Sequence, residues 1–325
     1  MHERKLAVLL ALVATAGMNV QAQDKYPSRP VRIVTSTPGG GNDFLARIVA
    51  PSLGNAIGQQ IIVDNRPSRL VGGIAARSTP DGYTLVVGGS TMQYTPLMEK
   101  MDYNAITDFT PVSLLERSPN VLVVTPALKV NNVGELVAMA RAKPGVLNYG
   151  TGASGASLHL AGELFMIATN TRLARVPYKA TGPAVLGLLT NEVQAVFATA
   201  GAVVPLLKDG KLKALGVTTL EPTPLVPGMP TIAQQGVPGF EVVTIGFMLA
   251  PAKTPQPVVR RLNQHIVKLM QQPDVKERLA AGGSDATSSS PEELGRIMRE
   301  DDVRMRKLFK QLGLDRKSTR LNSSH

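Results

Sequence analysis

Short β-branched runs alternate along the chain with longer stretches whose apolar residues recur every three or four positions. That alternation predicts an α/β protein with mostly parallel sheets. Residues 31–36 read as a strand, and a loop through Gly39, Gly40 and Gly41 leads into a helix with apolar positions Phe44, Leu45, Ile48, Val49 and Leu53. Pro51 falls inside that helix and should kink it, because proline cannot bond back to Arg47 and clashes there. Strands follow at 60–63, at 83–88 after the turn Pro80-Asp81-Gly82, and at 121–125, where Pro126 ends the run.

A second set repeats the scheme: helix 133–142, strand 146–149, a glycine-rich loop, helix 157–168, strand 173–178, a helix opening at Pro183, and strands 194–198 and 214–218. A proline-rich connection leads to a strand at 247–250 and two closing helices, 256–271 and 291–312. The simplest architecture is two α/β lobes, the second inserted in the first, with a cleft between them. Lobe 1 is expected at 23–124 and 246–314 and lobe 2 at 125–245, with crossings near Thr125 and Ile245.

Three places share one design, a strand running into small residues that open a helix. They are Pro38-Gly39-Gly40-Gly41-Asn42-Asp43, then Gly150-Thr151-Gly152-Ala153-Ser154-Gly155-Ala156-Ser157, then Tyr178-Lys179-Ala180-Thr181-Gly182-Pro183. Unpaired N–H groups and the positive end of the helix dipole suit an anion there, and glycine lets it come close. Gly88-Gly89-Ser90-Thr91 adds hydroxyls at the C-terminal end of a strand, where α/β sheets bind ligands. One such loop is ordinary turn chemistry with an N-cap. Several around one cleft predict a small anionic ligand held between lobes.

Composition narrows the setting. Residues 1–22 have a basic start at Arg4 and Lys5, an uncharged run at 6–16 and a small-x-small site at Val20-Gln21-Ala22, the pattern of a cleaved export signal. The 325-residue chain has no cysteine, which suits an oxidising compartment and excludes thiol nucleophiles, disulfides and Cys-bound metals. It also has no tryptophan. Residues 315–325 lack periodicity and look like the in-frame translation of a sequencing-adapter oligonucleotide or a disordered polar tail, and neither carries a function. Arg316, Lys317 and Arg320 against Asp315, with Arg4 and Lys5 against Glu3, account for +3 of the net charge of +11 and leave +8. The remaining basic residues are mixed with acids, as from Glu292 to Arg306, which reads as a solvated helix face rather than a nucleic-acid surface.

Other chemistry finds less support. Gly150-Thr151-Gly152-Ala153-Ser154-Gly155 matches the dinucleotide fingerprint G-x-G-x-x-G, but the acid expected at the end of the next strand is missing. Neither Ser154 nor Ser157 completes a nucleophile elbow beside His159. His159 and Glu163, four apart, read as a local pair or a solvated face, and His265 as a packed core histidine. With no HExxH and few histidines, neither a metal nor a cofactor is expected.

Taken together, the segments Arg29-Pro30-Val31-Arg32-Ile33-Val34, Pro38 to Asp43, Val63-Asp64-Asn65-Arg66-Pro67, Pro80-Asp81-Gly82-Tyr83-Thr84-Leu85 and Asp108-Phe109-Thr110-Pro111-Val112 resemble the Bug-type, or tripartite tricarboxylate transporter, substrate-binding proteins. Leu158 to Phe165, Val176-Pro177-Tyr178-Lys179 and Leu249 to Pro255 extend the likeness, in order, from Asp24 to Leu314. The resemblance implies a type II periplasmic-binding-protein fold. It also implies an exported, non-catalytic receptor that closes on a small carboxylate through backbone amides and hands it to a membrane permease. Carried over by position, Gly39, Gly40, Gly41, Asn42 and Asp43 with Ser90 and Thr91 would serve lobe 1, and Ser154, Ser157, Thr181 and Thr199 lobe 2. The partners implied are an organic acid and the permease subunits, with no nucleic acid, and the receptor is expected to be a monomer. A sensor subunit is the alternative, with an enzyme or a dinucleotide binder behind it. One segment departs from the pattern: after Asn65-Arg66-Pro67 a Gly-Ala-Gly-Gly type loop is usual, whereas this chain reads Ser68-Arg69-Leu70-Val71-Gly72-Gly73 and is shorter, as a local frame error would make it.

Overall fold

The computed structural model describes residues 26–152, 157–178 and 181–315. The expected export signal, Ser154 and residues 316–325 lie outside them. Along the chain run β1 (Val31–Thr35), α1 (Gly41–Ile57), β2 (Ile61–Asn65), α2 (Ser68–Ala76), β3 (Thr84–Gly89), α3 (Ser90–Met98) and a long β4 (Phe109–Val124). Next come α4 (Val133–Ala142), β5 (Asn148–Thr151), α5 (Ser157–Thr169), β6 (Ala174–Pro177), α6 (Thr181–Leu189), β7 (Ala195–Thr199), α7 (Ala200–Lys208) and β8 (Lys213–Val217). The chain closes with β9 (Val243–Pro251), α8 (Gln256–Met270), α9 (Pro273–Ala281), β10 (Asp285–Ala286) and α10 (Pro291–Gln311).

The strands lie in the order β2-β1-β3-β9-β4-β7-β5-β6, with β8 and β10 also paired to β4. The outer strands are parallel as expected: β1 pairs with β2 and β3, and β5 with β6 and β7. The two long strands in the middle run antiparallel to their neighbours. β4 changes partners along its length: residues 109–119 lie against β9, and residues 120–124 against β7 and β8.

Both halves are covered on both faces, which is why their strands read as nearly continuous apolar runs. With the period-2 alternation of a strand, Val31, Ile33, Leu85, Val87 and Met248 face Leu45, Ile48, Leu262 and Ile266 of α1 and α8. Val34, Val86, Phe247 and Leu249 face the opposite way, toward Val71 of α2 and Leu294 and Met298 of α10. In the other half, Leu122, Tyr149 and Phe197 join Leu136 of α4 and Phe165 of α5, while Val121, Val196 and Ala198 join Leu188 of α6 and Val203 of α7.

Contacts away from the strands also tie the halves together. At the start of α7, a Cβ placed on Gly201 would lie 2.9 Å from the carbonyl oxygen of Gly282, so backbone meets backbone there. On the other side, Leu160 of α5 packs with Tyr94 and Leu97 of α3 and Met305, Leu308 and Phe309 of α10.

Several sequence expectations change. Pro51 lies within α1, yet the helix runs on from Gly41 to Ile57. The strand expected at 121–125 is the end of β4, whose first three-quarters the apolar pattern missed. Four nine-residue helices, α2, α3, α7 and α9, went unforeseen. Phe44 is 42 % exposed rather than in the core. The segment 68–73 folds as a regular helix: Val71, Gly72 and Gly73 are buried, and a Cβ on Gly72 would lie 2.5 Å from the Tyr103 ring.

Candidate functional site

β1 and β5 are each flanked by two parallel strands, so the loops after β1, β3, β5 and β7 emerge where strand order reverses, the usual place for a ligand in α/β sheets. These loops surround a cavity of about 660 Å³ lined from both halves. Of the eleven residues expected from the sequence, seven line it: Gly41, Asn42, Ser90 and Thr91 on one wall, Ser157, Thr181 and Thr199 on the other.

The remaining lobe 1 candidates play a different part. Gly39 and Gly40 are not part of the lining, and Gly39 has φ +80°, which suits a residue without a side chain. Asp43 is buried, and its carboxylate accepts hydrogen bonds from the Gly39 amide at 2.9 Å, Arg47 Nε at 2.9 Å and Asn65 Nδ2 at 2.8 Å. Burial disfavours its charged form, but those bonds outweigh it and hold the carboxyl below the usual aspartate range. Asp43 therefore shapes the loop instead of facing a ligand.

Three of the helices that open onto the cavity start without a side-chain cap. Gly40, Gly89 and Thr199 are the N-caps of α1, α3 and α7, and none makes a side-chain cap bond. Away from the cavity, α4 and α10 are capped by Asn132 and Ser290, accepting from the amides of Glu135 and Glu293, whereas α8 and α9 also start without a side-chain cap. Uncapped N–H groups with aligned dipoles converging on one space favour an oxyanion. Glycines bring the floor close: a Cβ on Gly89 would lie 3.0 Å from Asn42 Oδ1 and 2.9 Å from the carbonyl of Ile245.

Four charged residues also line the cavity, none of them anticipated as site residues. Arg69 of α2 pairs with Glu99 at the mouth. Arg304 of α10 bonds Asp301 at 2.6 Å and the carbonyl of Glu241 at 3.2 Å, and Asp301 also accepts from Tyr94 Oη. Part of the mixed helix face read as solvated is thus folded against the cleft. The fourth is Glu116 on β4, 8 % exposed. A lone acid inside the run from Val112 to Val124 was the signal for it, and the surrounding Ser, Arg and Pro obscured that signal.

His159 is 2 % exposed, not part of a solvated face, and lies 3.5 Å from Glu163, which also accepts a 2.5 Å bond from Tyr149 Oη. Burial works against the Glu163 carboxylate, and the bonds from His159 and Tyr149 with nearby positive charge outweigh it, keeping its pKa low. His265 sits at the half-buried edge of α8, where burial and then Arg261 and Lys268 disfavour its protonation. The buried face of α8 is Val259, Leu262, Ile266 and Leu269. Among the described residues no helix is long and apolar enough to cross a membrane.

Comparison with known proteins agrees with this geometry. The profile of the family described as tripartite tricarboxylate transporter family receptor, TctC, matches residues 45–314. The protein BugT of Bordetella pertussis is 33 % identical over 320 residues, covering 95 % of this chain and 98 % of its own. A protein encoded in the tcbD-tcbE intergenic region of Pseudomonas sp. strain P51 is 34 % identical, covering 97 % and 95 %. Among solved structures, R. palustris Rpa4515 with adipate superposes at TM-score 0.75 with 34 % identity, covering 90 % of this chain and 99 % of that one. MatC from Rhodopseudomonas palustris with bound malate gives TM-score 0.71 and 28 % identity, covering 87 % and 99 %. The periplasmic binding protein BugD gives TM-score 0.72 and 29 % identity, covering 90 % and 100 %. With a two-walled cleft, strand order and family profile in agreement, the chain belongs to the tripartite tricarboxylate transporter receptor family.

Proposed function

We propose that this chain is a periplasmic receptor that captures a small carboxylate between two lobes and delivers it to a membrane permease, catalysing no reaction on it. The observation that carries the reading is the cavity itself: uncapped helix starts at Gly41, Ser90 and Ala200 converge on it, with the hydroxyls of Ser90, Thr91, Ser157, Thr181 and Thr199 around them. Such a site neutralises an anion with dipoles and leaves it chemically unchanged. That Rpa4515 is solved with adipate and MatC with malate supports the carboxylate class.

The change of partners on β4 supports lobes that exchange at Pro119–Asn120, ahead of the strand end near Thr125, and return between Val242 and Val243, close to Ile245. Contacts a ligand makes only with the lobes together shift the population toward the closed form. A thermal-shift series with acetate, malate, adipate and citrate tests the proposal. A probe at one hundred times its dissociation constant should add about 2.7 kcal/mol of stability. No shift with any of the four would overturn it.

A further inference from the structure

Glu116 stands on the floor of the cavity in a position built to hold it. The register between β4 and β9 slips between Leu114 and Glu116, a bulge of the kind that re-aims a side chain. Its cross-strand partner is Gly246, and a Cβ there would lie 2.6 Å from Glu116 Cγ and 2.9 Å from Oε1. The missing side chain is the space the carboxyl group occupies. Ala286 of β10 is opposite on the other edge, and Ser284 supplies a hydroxyl.

The charges around it are committed elsewhere. On α1, Asp43 and Arg47 bond each other at 2.9 Å; beside it on β4, Arg117 pairs with Glu241 at 2.7 Å. Asp285 of β10 accepts from Thr223 at 3.0 Å. On α10, Arg304 is held by Asp301, which Tyr94 of α3 also reaches, and at the mouth Arg69 pairs with Glu99. Among the described residues no cation lies within ion-pair distance of Glu116. Burial consequently pushes its carboxyl up to about 7, against a smaller opposing effect of the Ser284 hydroxyl.

We propose, resting on the carboxylate-receptor reading above, that Glu116 determines the specificity of the cleft by donating a hydrogen bond from its protonated carboxyl group to an oxygen of the bound carboxylate. An anionic ligand beside it favours the protonated form further, as two carboxyl groups in one site share a proton. Capture then takes up a proton from solvent onto Glu116, and ligands that present an apolar group at this point, leaving the carboxyl group without a partner, bind more weakly.

Calorimetric titration of the full chain with malate and adipate at pH 6 and pH 8 tests this. Both probes are fully ionised over most of that range, so the proton linkage belongs to the protein. Affinity should be about tenfold weaker at pH 8 than at pH 6. In E116Q, whose amide donates without titrating, the pH dependence should vanish, which separates Glu116 from the histidines His159 and His265. Carbon-13 NMR of the ligand-free protein should show Glu116 titrating well above other glutamates. Binding that is independent of pH, strengthens toward pH 8, or keeps its pH dependence in E116Q overturns the proposal alone, as does an ordinary Glu116 titration. No binding of any carboxylate probe overturns the receptor reading and the proposal with it.

Discussion

The two walls of the cleft grip by different means. The lobe 2 wall offers helix starts and small hydroxyls, Ser157, Thr181 and Thr199, and presents no charged side chain to the cavity among the described residues. The lobe 1 wall has the same kind of helix starts at Gly41 and Ser90 but adds Arg69, Glu99, Glu116 and Arg304. Dipoles from either wall suit any carboxylate. On the proposal that Glu116 donates to the ligand, discrimination between carboxylates belongs to lobe 1, where that titratable group lines the cavity together with the guanidinium groups of Arg69 and Arg304.

The strongest way to break that asymmetry is to fill the lobe 1 floor. Gly246→Val should destabilise the protein by about 1–3 kcal/mol in a denaturant melt, because its side chain would overlap Glu116 and Leu45. Ligand binding should be lost with it. The matching change across the cleft, Gly201→Ala, puts a methyl against the backbone of Gly282 and Gly283 at the junction of the lobes. It should weaken ligand binding more than it lowers stability, because each lobe keeps its own core; equal losses in the two variants would erase the distinction between floor and junction.

Next in size is the loop support in lobe 1. Asp43→Ala leaves the Gly39 amide without its acceptor and removes one of the two acceptors of Asn65 Nδ2, and should cost about 1–3 kcal/mol. The folded-state pKa of Asp43 lies below its unfolded value, so its contribution is present at neutral pH and lost as pH falls through the acidic range. The stability gap between wild type and Asp43→Asn should accordingly narrow with acid, and a gap that widens would contradict the assignment.

Hydroxyl removal in lobe 2 sits lower. Thr181→Val and Thr199→Val should each weaken carboxylate binding by about tenfold in calorimetry, the low end for one hydrogen bond to a charged group. The smallest effect belongs to the exposed pair at the mouth: Arg69→Ala should change stability by less than about 1 kcal/mol.

What the sequence made legible follows the same division. Glycine loops and hydroxyls announce themselves by position after a strand, so Asn42, Ser90, Thr91, Ser157, Thr181 and Thr199 were placed on the cavity without coordinates. The charged residues of lobe 1 were not, because their roles depend on pairing between distant segments. Glu116 meets Gly246 only through the β4–β9 register, and Arg304 reaches the cleft because α10 packs on α3. The first part of β4 escaped because Pro111, Ser113, Glu116, Arg117 and Pro119 break its apolar pattern, while β9, β10 and α10 supply the burial that the pattern lacks. The helices α3 and α7 were hidden by their nine-residue length and internal prolines Pro96 and Pro205, and tertiary packing overrides that local cost. Phe44 carries the pattern of a core residue yet stands over Gly282 at the cleft, an outcome that periodicity alone does not distinguish.

The most direct measurement is a crystal structure with the carboxylate that gives the largest thermal shift. The account predicts the ligand in the cavity between the two walls, one carboxylate on the helix starts at Gly41, Ser90 or Ala200 and an oxygen within hydrogen-bond distance of Glu116. A ligand seated elsewhere on the surface, or one in the cleft that presents an ammonium or hydroxyl donor to an ionised Glu116, would contradict it.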